Sequence, residues 1–232
     1  MTRISAVGFD ADDTLWHNER FFKLTEARFK SLLAEHAAPD HLAERLLDAE
    51  RRNLGRYGFG IKGFVLSMIE TAMELCDDAV PRPVLAGILE AGHEMLAHPI
   101  ELLPHAEAAI DALAGRYRLV LVTKGDLLDQ ERKLAQSGLG ERFDAVEIVS
   151  DKTAAVYARV FDAHGQGAAA GVMVGNSMKS DVLPMIAAGG VGVHVPHGEV
   201  WALEHAEPPE AEPRYHAIPD LGALPDLLAD LN

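Results

Sequence analysis

The stretch that decides the fold is ISAVGFDADDT, residues 4–14, where a β-rich apolar run leads directly into three aspartates. Comparable runs return only beyond residue 116, and helix-like stretches at Leu127–Ser137 and Thr153–His164 separate them. Apolar strands that alternate with helices are typical of a parallel sheet covered on both faces. The sequence therefore predicts a doubly wound α/β domain. Its strands are expected at Ile4–Phe9, Tyr117–Val122, Ala145–Val149, Gly171–Val174, Val191–Val195 and His216–Ile218.

The segment from 16 to 100 has a different pattern, the spacing of amphipathic helices. Apolar side chains recur three or four positions apart, as at Val65, Met68 and Ala72. A glycine-rich break at Gly55–Gly63 interrupts this pattern. We therefore expect an all-α insert at 16–100, between a first piece of the core at 1–15 and the rest of it at 101–232.

Composition and charge restrict the function. The chain has 232 residues, 48% apolar and 25% charged, which is enough to bury a sizeable core. Its 21 basic and 36 acidic residues give a net charge of −15, which argues against binding of a nucleic acid polymer or an anionic membrane. The single Cys76 excludes an intramolecular disulfide and a multi-cysteine zinc site. No signal-peptide-like run or stretch of 18 apolar residues is found, so we expect a cytoplasmic protein.

Polar residues stand at the ends of four predicted strands, and the carboxyl edge of a parallel sheet would gather them where ligands bind. Clustered carboxylates are costly unless a cation or proton compensates them. An aspartate-rich turn can also simply cap a helix, but that does not explain the convergence of four strand ends. In chain order the residues are Asp10, Asp12 and Asp13; Thr123, Lys124 and Gly125; Lys152; and Asn176, Ser177 and Asp181.

Together these segments resemble the four motifs of the haloacid dehalogenase (HAD) superfamily, in its phosphatase branch. The pattern DxDxT is found at 10–14, the threonine of the second motif is Thr123, the lysine of the third is Lys152, and GNSxxxD covers 175–181. The motifs follow the family order and span nearly the whole chain. The resemblance implies a Rossmann-like core with a helical cap inserted after the first motif, the place taken by residues 16–100.

By this resemblance, Asp10 is the nucleophile that takes the phosphoryl group. Asp12 protonates the leaving oxygen and later removes a proton from water. Thr14 either holds the acid/base loop or only stabilises the turn. The dehalogenase branch releases halide and lacks an acid at the position of Asp12, so the sequence favours cleavage of a phosphate ester.

The other motifs supply the charge and the donors for the phosphate. By resemblance, Thr123 and the backbone amides of Lys124 and Gly125 bind its non-bridging oxygens. Lys152 places a fixed positive charge against the nucleophile and the phosphate, an arrangement that contributes strongly to phosphoryl transfer.

The resemblance also implies a Mg²⁺ ion, which prefers hard oxygen ligands. The expected ligands are the side chain of Asp10, the backbone carbonyl of Asp12, Asn176 and Asp181. The family usually has an aspartate where this chain has Asn176, whose amide oxygen can ligate but carries no charge. We therefore expect weaker Mg²⁺ binding, with the dependence on metal retained.

A basic segment of the insert has two interpretations. The range Arg51–Ile69 contains four basic residues, no acidic ones, and aromatic side chains among glycines. It is either a cap loop that closes over an anionic substrate, with Arg56 and Lys62 in contact with it, or a helix–helix turn that buries Phe59 and Phe64.

The function predicted from the sequence is a Mg²⁺-dependent phosphatase of a small phosphorylated metabolite. The alternatives are a sugar-phosphate mutase, which shares the four motifs, and a binding protein with weakened catalysis, suggested by Asn176. His194 and His197 have a spacing seen in metal sites, but the sequence identifies no third ligand for them. Aromatic and histidine residues of the acidic C-terminal segment indicate either packing at the surface or a homodimer contact.

Overall fold

The computed structural model describes residues 3–76, 79–198 and 200–232. The chain divides into two compact units. The sheet unit consists of Met1–Glu19, Ile100–Lys124 and Gln130–Asn232, and the helical unit of Arg20–Pro99 and Gly125–Asp129. Residues 16–19, assigned to the insert from the sequence, group with the sheet, whereas residues 125–129 group with the helices.

The strands and helices are numbered along the chain. Their bounds are β1 Ala6–Phe9, α1 Glu19–Leu32, α2 Pro39–Tyr57, α3 Ile61–Leu75, α4 Arg82–Ala97, α5 Ala106–Leu113, β2 Arg118–Lys124, α6 Leu127–Ser137, β3 Ala145–Val149, α7 Ala154–His164, β4 Gly171–Gly175, α8 Leu183–Ala187, β5 Val191–His194, β6 Tyr215–Ala217 and α9 Leu224–Asp230. A π-helical turn at Met178–Val182 precedes α8.

The sheet confirms the predicted α/β, Rossmann-like doubly wound architecture. Within the described residues it has six strands in the order β3-β2-β1-β4-β5-β6, and every neighbouring pair is parallel. Strand β1 lies between β2 and β4, so the strand order reverses there. Ligands of open α/β sheets bind at the carboxyl ends of the strands beside such a reversal. The fold thus directs attention to the residues that follow β1, β2, β3 and β4.

Helices cover both faces of the sheet. On one face, α5 and α9 bury Ile110, Leu113 and Leu228. On the other face, α7 buries Tyr157 and Phe161.

The helical unit has a core of its own, to which α1, α2, α3 and α4 all contribute. The predicted glycine-rich break is shorter than expected, since α2 continues through Gly55 to Tyr57 and α3 begins at Ile61. Gly63 lies inside α3, where a Cβ would be 2.9 Å from the carbonyl oxygen of Gly58. Phe64 is buried, with its ring centroid 5.1 Å from that of Phe22, as in the helix–helix turn interpretation. None of the helices in the described ranges combines the length and apolarity needed to span a bilayer.

Candidate active site

The centre of the site is a buried lysine between two carboxylates. Asp10 follows β1, Lys152 follows β3, and Asp181 lies in the π-helical turn after β4. The Lys152 Nζ is 2.5 Å from Asp10 Oδ1 and 2.6 Å from Asp181 Oδ1. The exposed fraction of the side chain is only 2% for Lys152, 9% for Asp10 and 1% for Asp181. Two carboxylates and one ammonium leave a net charge of −1 in a water-poor environment.

Burial and the neighbouring charges shift the pKa values of Asp10 and Lys152. Burial raises the pKa of Asp10 to about 7. The charge of Lys152 opposes this shift only in part, and the charge of Asp181 adds to it. Burial alone would lower the pKa of Lys152, but Asp10 and Asp181 raise it above its usual value. The lysine therefore remains an ammonium, while Asp10 takes up a proton near neutral pH unless another cation is bound.

The position of Asp181 depends on a glycine at the end of β4. A Cβ on Gly175 would be 2.2 Å from Asp181 Oδ2, so a side chain there would displace the carboxylate. The backbone N–H of Ser177 donates to the same oxygen at 2.9 Å. The glycine of GNSxxxD thus permits a close approach between strand and carboxylate.

Thr14 connects the first motif to the fourth. Its hydroxyl donates to Asp10 Oδ2 at 2.9 Å and accepts from the Asn176 N–H at 3.1 Å. The Asn176 side-chain oxygen lies 3.4 Å from the same hydroxyl oxygen. The ring Nε2 of His194 lies 3.1 Å from the Asn176 carbonyl oxygen, a further contact to this residue.

Asp12 is held by three donors that the sequence analysis missed. The Trp16 indole donates to Oδ1 at 2.7 Å and the Gln130 amide to Oδ2 at 3.0 Å, while the Lys133 ammonium lies 3.0 and 3.1 Å from the two oxygens. The Gln130 amide also donates to the Thr123 hydroxyl at 2.8 Å. Gln130 and Lys133 are three residues apart on α6, so they share a helix face. That spacing was the one signal in the sequence that could have identified them.

The sequence analysis also missed Glu204, which forms an ion pair with Lys124, the lysine of the second motif. Lys124 Nζ lies 2.6 Å from Glu204 Oε1, and the hydroxyls of Ser177 and Ser180 donate to Oε2 at 2.6 and 2.5 Å. Burial tends to raise the pKa of Glu204, but Lys124 and the two hydroxyls outweigh it and lower the pKa below its usual value. The Lys124 ammonium also donates to the Ser180 hydroxyl at 2.7 Å, so Lys124, Ser180 and Glu204 form one hydrogen-bonded group.

The remaining predicted contacts belong to the helical unit. Gly125 has a φ of 143°, a backbone conformation that favours glycine. Arg56 is exposed in the last turn of α2. Lys62 Nζ lies 2.9 Å from both carboxylate oxygens of Asp126 and keeps the pKa of that group below its usual value. By contrast, the structure places Asp10, Asp12, Thr123, Lys124, Lys152, Asn176 and Asp181 together at the carboxyl edge of the sheet.

A Rossmann-like sheet with this buried lysine–carboxylate centre defines a HAD-type hydrolase. Residues 4–189 match the family of haloacid dehalogenase-like hydrolases, and the chain belongs to that family. A solved haloacid dehalogenase-like family hydrolase from Xanthomonas campestris is 40% identical, with a TM-score of 0.87 over 98% of this chain and 91% of the other.

More distant solved structures share the fold. The HAD-hydrolase YfnB from Bacillus subtilis, bound to magnesium, is 20% identical, with a TM-score of 0.65 over 98% of this chain and 99% of the other. L-2-haloacid dehalogenase from Xanthobacter autotrophicus, with chloropropionic acid covalently bound, is 19% identical, with a TM-score of 0.64 over 99% of this chain and 100% of the other. No curated protein matches the chain significantly.

Proposed function

We propose that the protein is a Mg²⁺-dependent phosphatase that hydrolyses a small phosphomonoester metabolite through an aspartyl-phosphate on Asp10. The observation that carries this proposal is the carboxylate of Asp12, two residues from the nucleophile and held by three donors. Release of halide needs no proton, whereas an ester oxygen leaves more easily once protonated. A carboxyl group positioned here, where it can pass a proton to the ester oxygen and take one from water, therefore favours phosphate ester cleavage over dehalogenation.

The side chains fit a magnesium ion. Asp10, Asn176, Asp181 and the backbone carbonyl of Asp12 supply hard oxygens, the ligands that Mg²⁺ prefers. The net charge of −1 around Lys152 and the raised pKa of Asp10 both indicate a centre that favours a further cation. When bound, the ion would neutralise negative charge on the phosphate and the nucleophile.

In the first half of the reaction, an Asp10 oxygen attacks phosphorus and the bond to the ester oxygen breaks. Asp12 gives its proton to the departing oxygen, which leaves as an alcohol. Thr123 and the backbone amides of Lys124 and Gly125 donate to the phosphoryl oxygens. Lys152 remains an ammonium throughout and stabilises the transferred group.

In the second half, water attacks the aspartyl-phosphate. Asp12, now a carboxylate, accepts the water proton, which restores the acid for the next cycle. The P–O bond to Asp10 breaks, and inorganic phosphate is released. The contacts from Trp16, Gln130 and Lys133 orient Asp12 for this step, because each donates to the carboxylate that must act as the base.

We propose that the helical unit acts as the cap of this enzyme, with Arg56 and Lys62 in contact with the substrate. Arg56 and Lys62 are basic side chains beside the short break between α2 and α3, and basic side chains are suited to an anionic metabolite. The pair that Lys62 makes with Asp126 involves an exposed lysine. Such pairs are weak, so an anionic ligand can compete for it.

The test is a screen of phosphometabolites and p-nitrophenyl phosphate with Mg²⁺, read as inorganic phosphate, alongside chloride release from 2-chloro acids. We expect phosphate release that Asp10→Asn abolishes and that Asp162→Asn, on the exposed face of α7, leaves unchanged. Asp12→Asn should slow turnover by about 10²–10⁴-fold, the usual contribution of a general acid or base.

Other outcomes would identify the alternatives. Chloride release without phosphate release would refute the phosphatase assignment. Activity that appears only with a sugar bisphosphate, with isomerisation in place of phosphate release, would indicate the mutase. No turnover with Mg²⁺, Mn²⁺ or Co²⁺ across the panel would indicate a binding protein.

A further inference from the structure

A second group of metal-ligating side chains lies beyond the proposed magnesium ligands. Asp13, His17 and His197 each offer one donor atom, and the three atoms lie within 4.8 Å of one another. Asp13 lies in the loop after β1, and His197 follows β5. None of the three side chains serves in the proposed phosphatase reaction. His197 thus has partners that its spacing from His194 did not reveal.

The two imidazoles are joined by a long hydrogen bond, and their separation also matches that of two ligands on one metal ion. His197 Nε2 is 3.3 Å from His17 Nδ1, with ring centroids 5.1 Å apart. Hydrogen bonds from N–H groups usually measure less than about 3.2 Å. Zn–N bonds of about 2.0–2.1 Å in a tetrahedron place neighbouring ligand atoms about 3.3–3.4 Å apart. The pair already has the separation of two ligands on one ion.

The backbone around Asp13, the third ligand, is held in place by hydrogen bonds. Asp13 is buried, and its two oxygens accept the backbone N–H groups of Asn18 and Glu19 at 2.9 and 2.7 Å. Each carboxylate oxygen has a second acceptor position, which remains available for a metal. The backbone N–H of His17 donates to the Glu101 carbonyl oxygen at 3.0 Å, which also holds the backbone at His17 in place.

We propose that Asp13, His17 and His197 bind a divalent transition metal such as Zn²⁺ or Co²⁺, at a site separate from the magnesium centre. Two imidazoles and one carboxylate, with water in the fourth position, form a ligand set that binds these ions in preference to Mg²⁺. The metal would link the loop after β1 to the loop after β5, on either side of β4.

The test is a titration of the full chain with Co²⁺ under saturating Mg²⁺, followed by visible absorption. Four-coordinate Co²⁺ absorbs far more strongly than the six-coordinate ion, so the spectrum distinguishes an imidazole site from the oxygen-lined centre. We expect one equivalent to bind. His17→Ala and His197→Ala should each weaken binding by about 100-fold or more, beyond the effect of losing an outer-shell partner. His36→Ala, an exposed histidine of the helical unit, serves as the matched control.

Two further measurements keep this test independent of folding and of catalysis. Thermal unfolding without metal shows whether each variant is folded, and Zn²⁺ should raise the unfolding midpoint of the wild type but not of the folded histidine variants. Asp10→Asn should bind Co²⁺ as the wild type does, even though it is expected to be inactive. The proposal is overturned if Co²⁺ does not bind under Mg²⁺, if binding survives in both histidine variants, or if it is lost in Asp10→Asn.

Discussion

Replacing Lys152 with methionine tests the electrostatic argument most directly. The substitution keeps much of the side-chain length but removes the ammonium that lies 2.5 and 2.6 Å from two buried carboxylates. Removing one partner of a buried ion pair typically costs about 3–5 kcal/mol, because a charge is left without compensation. Since two carboxylates lose their partner here, we expect a loss of about 3–5 kcal/mol in the free energy of unfolding at pH 8 without metal.

The pH dependence follows from the protonation of an aspartate. If a carboxyl group has to be neutral in the folded state, the protein loses about 1.4 kcal/mol of stability for each pH unit above the pKa of that group in the unfolded state. That cost is at most about 5.6 kcal/mol at pH 8 and about 2.2 kcal/mol at pH 5.5 for one aspartate. Because the folded pKa is raised, the penalty is present at high pH and disappears as the pH falls towards the unfolded value. Asp10 already has a raised pKa in the wild type, so part of this cost is common to both proteins, and the effect of Lys152→Met should be clearly smaller at pH 5.5 than at pH 8.

Urea unfolding in EDTA, followed by tryptophan fluorescence, measures both values. Trp16 and Trp201 lie in the sheet unit, so the signal reports on the unit that contains the site. Arg159→Met, which breaks an exposed pair with Glu147, is the control and should change stability by less than about 0.5 kcal/mol. Adding Asp10→Asn to Lys152→Met should recover part of the loss. A loss below about 1 kcal/mol at pH 8, or an equal loss at both pH values, would refute the reasoning.

Three further substitutions test other parts of the site. Gly175→Ala should displace Asp181, lower stability by about 1–3 kcal/mol and reduce phosphatase activity, as thermal unfolding and turnover would show. Glu204 has a lowered pKa, so it stabilises the folded state above the pKa of the unfolded state, and this effect is lost on acidification. Glu204→Gln should lower the free energy of unfolding by about 1.5–3 kcal/mol at pH 7. The variant should also lose less stability than the wild type below pH 5, and urea titration measures both effects. Asn176→Asp adds a charged ligand and should lower the Mg²⁺ concentration for half-maximal activity at least about fivefold, equivalent to about 1 kcal/mol.

The sequence was sufficient to predict the sheet and the charged centre, because both depend on local patterns. Apolar runs determine where the strands lie, and a parallel sheet then brings the strand ends to one edge. The predicted strand at Ala145–Val149 has the bounds found for β3, and Leu127–Ser137 has those found for α6. Asp10, Lys152 and Asp181 meet at this edge although they come from three separate segments.

The residues around the motifs could not be predicted in the same way. Lys133 contacts Asp12 across 121 positions of sequence, so the pair exists only after α6 has packed against the sheet. The glycine break was placed too broadly for a related reason. Glycine costs a helix only about 1 kcal/mol, and close packing at Gly63 favours keeping that residue inside α3.

On the proposed mechanism, charge balance explains why a neutral side chain at Asn176 is useful. The metal-free centre has a net charge of −1 from Asp10, Asp181 and Lys152, since Lys133 balances Asp12. A bound divalent ion would change the total to +1, which would attract a phosphomonoester with a charge of about −2. Once the phosphoryl group is on Asp10, that carboxylate no longer carries its own charge. The total is then about zero, from Asp181, Lys152, the ion and the phosphoryl oxygens. An aspartate at position 176 would leave this buried intermediate with one uncompensated negative charge, so the neutral amide gives up metal affinity but keeps the phosphorylated state balanced.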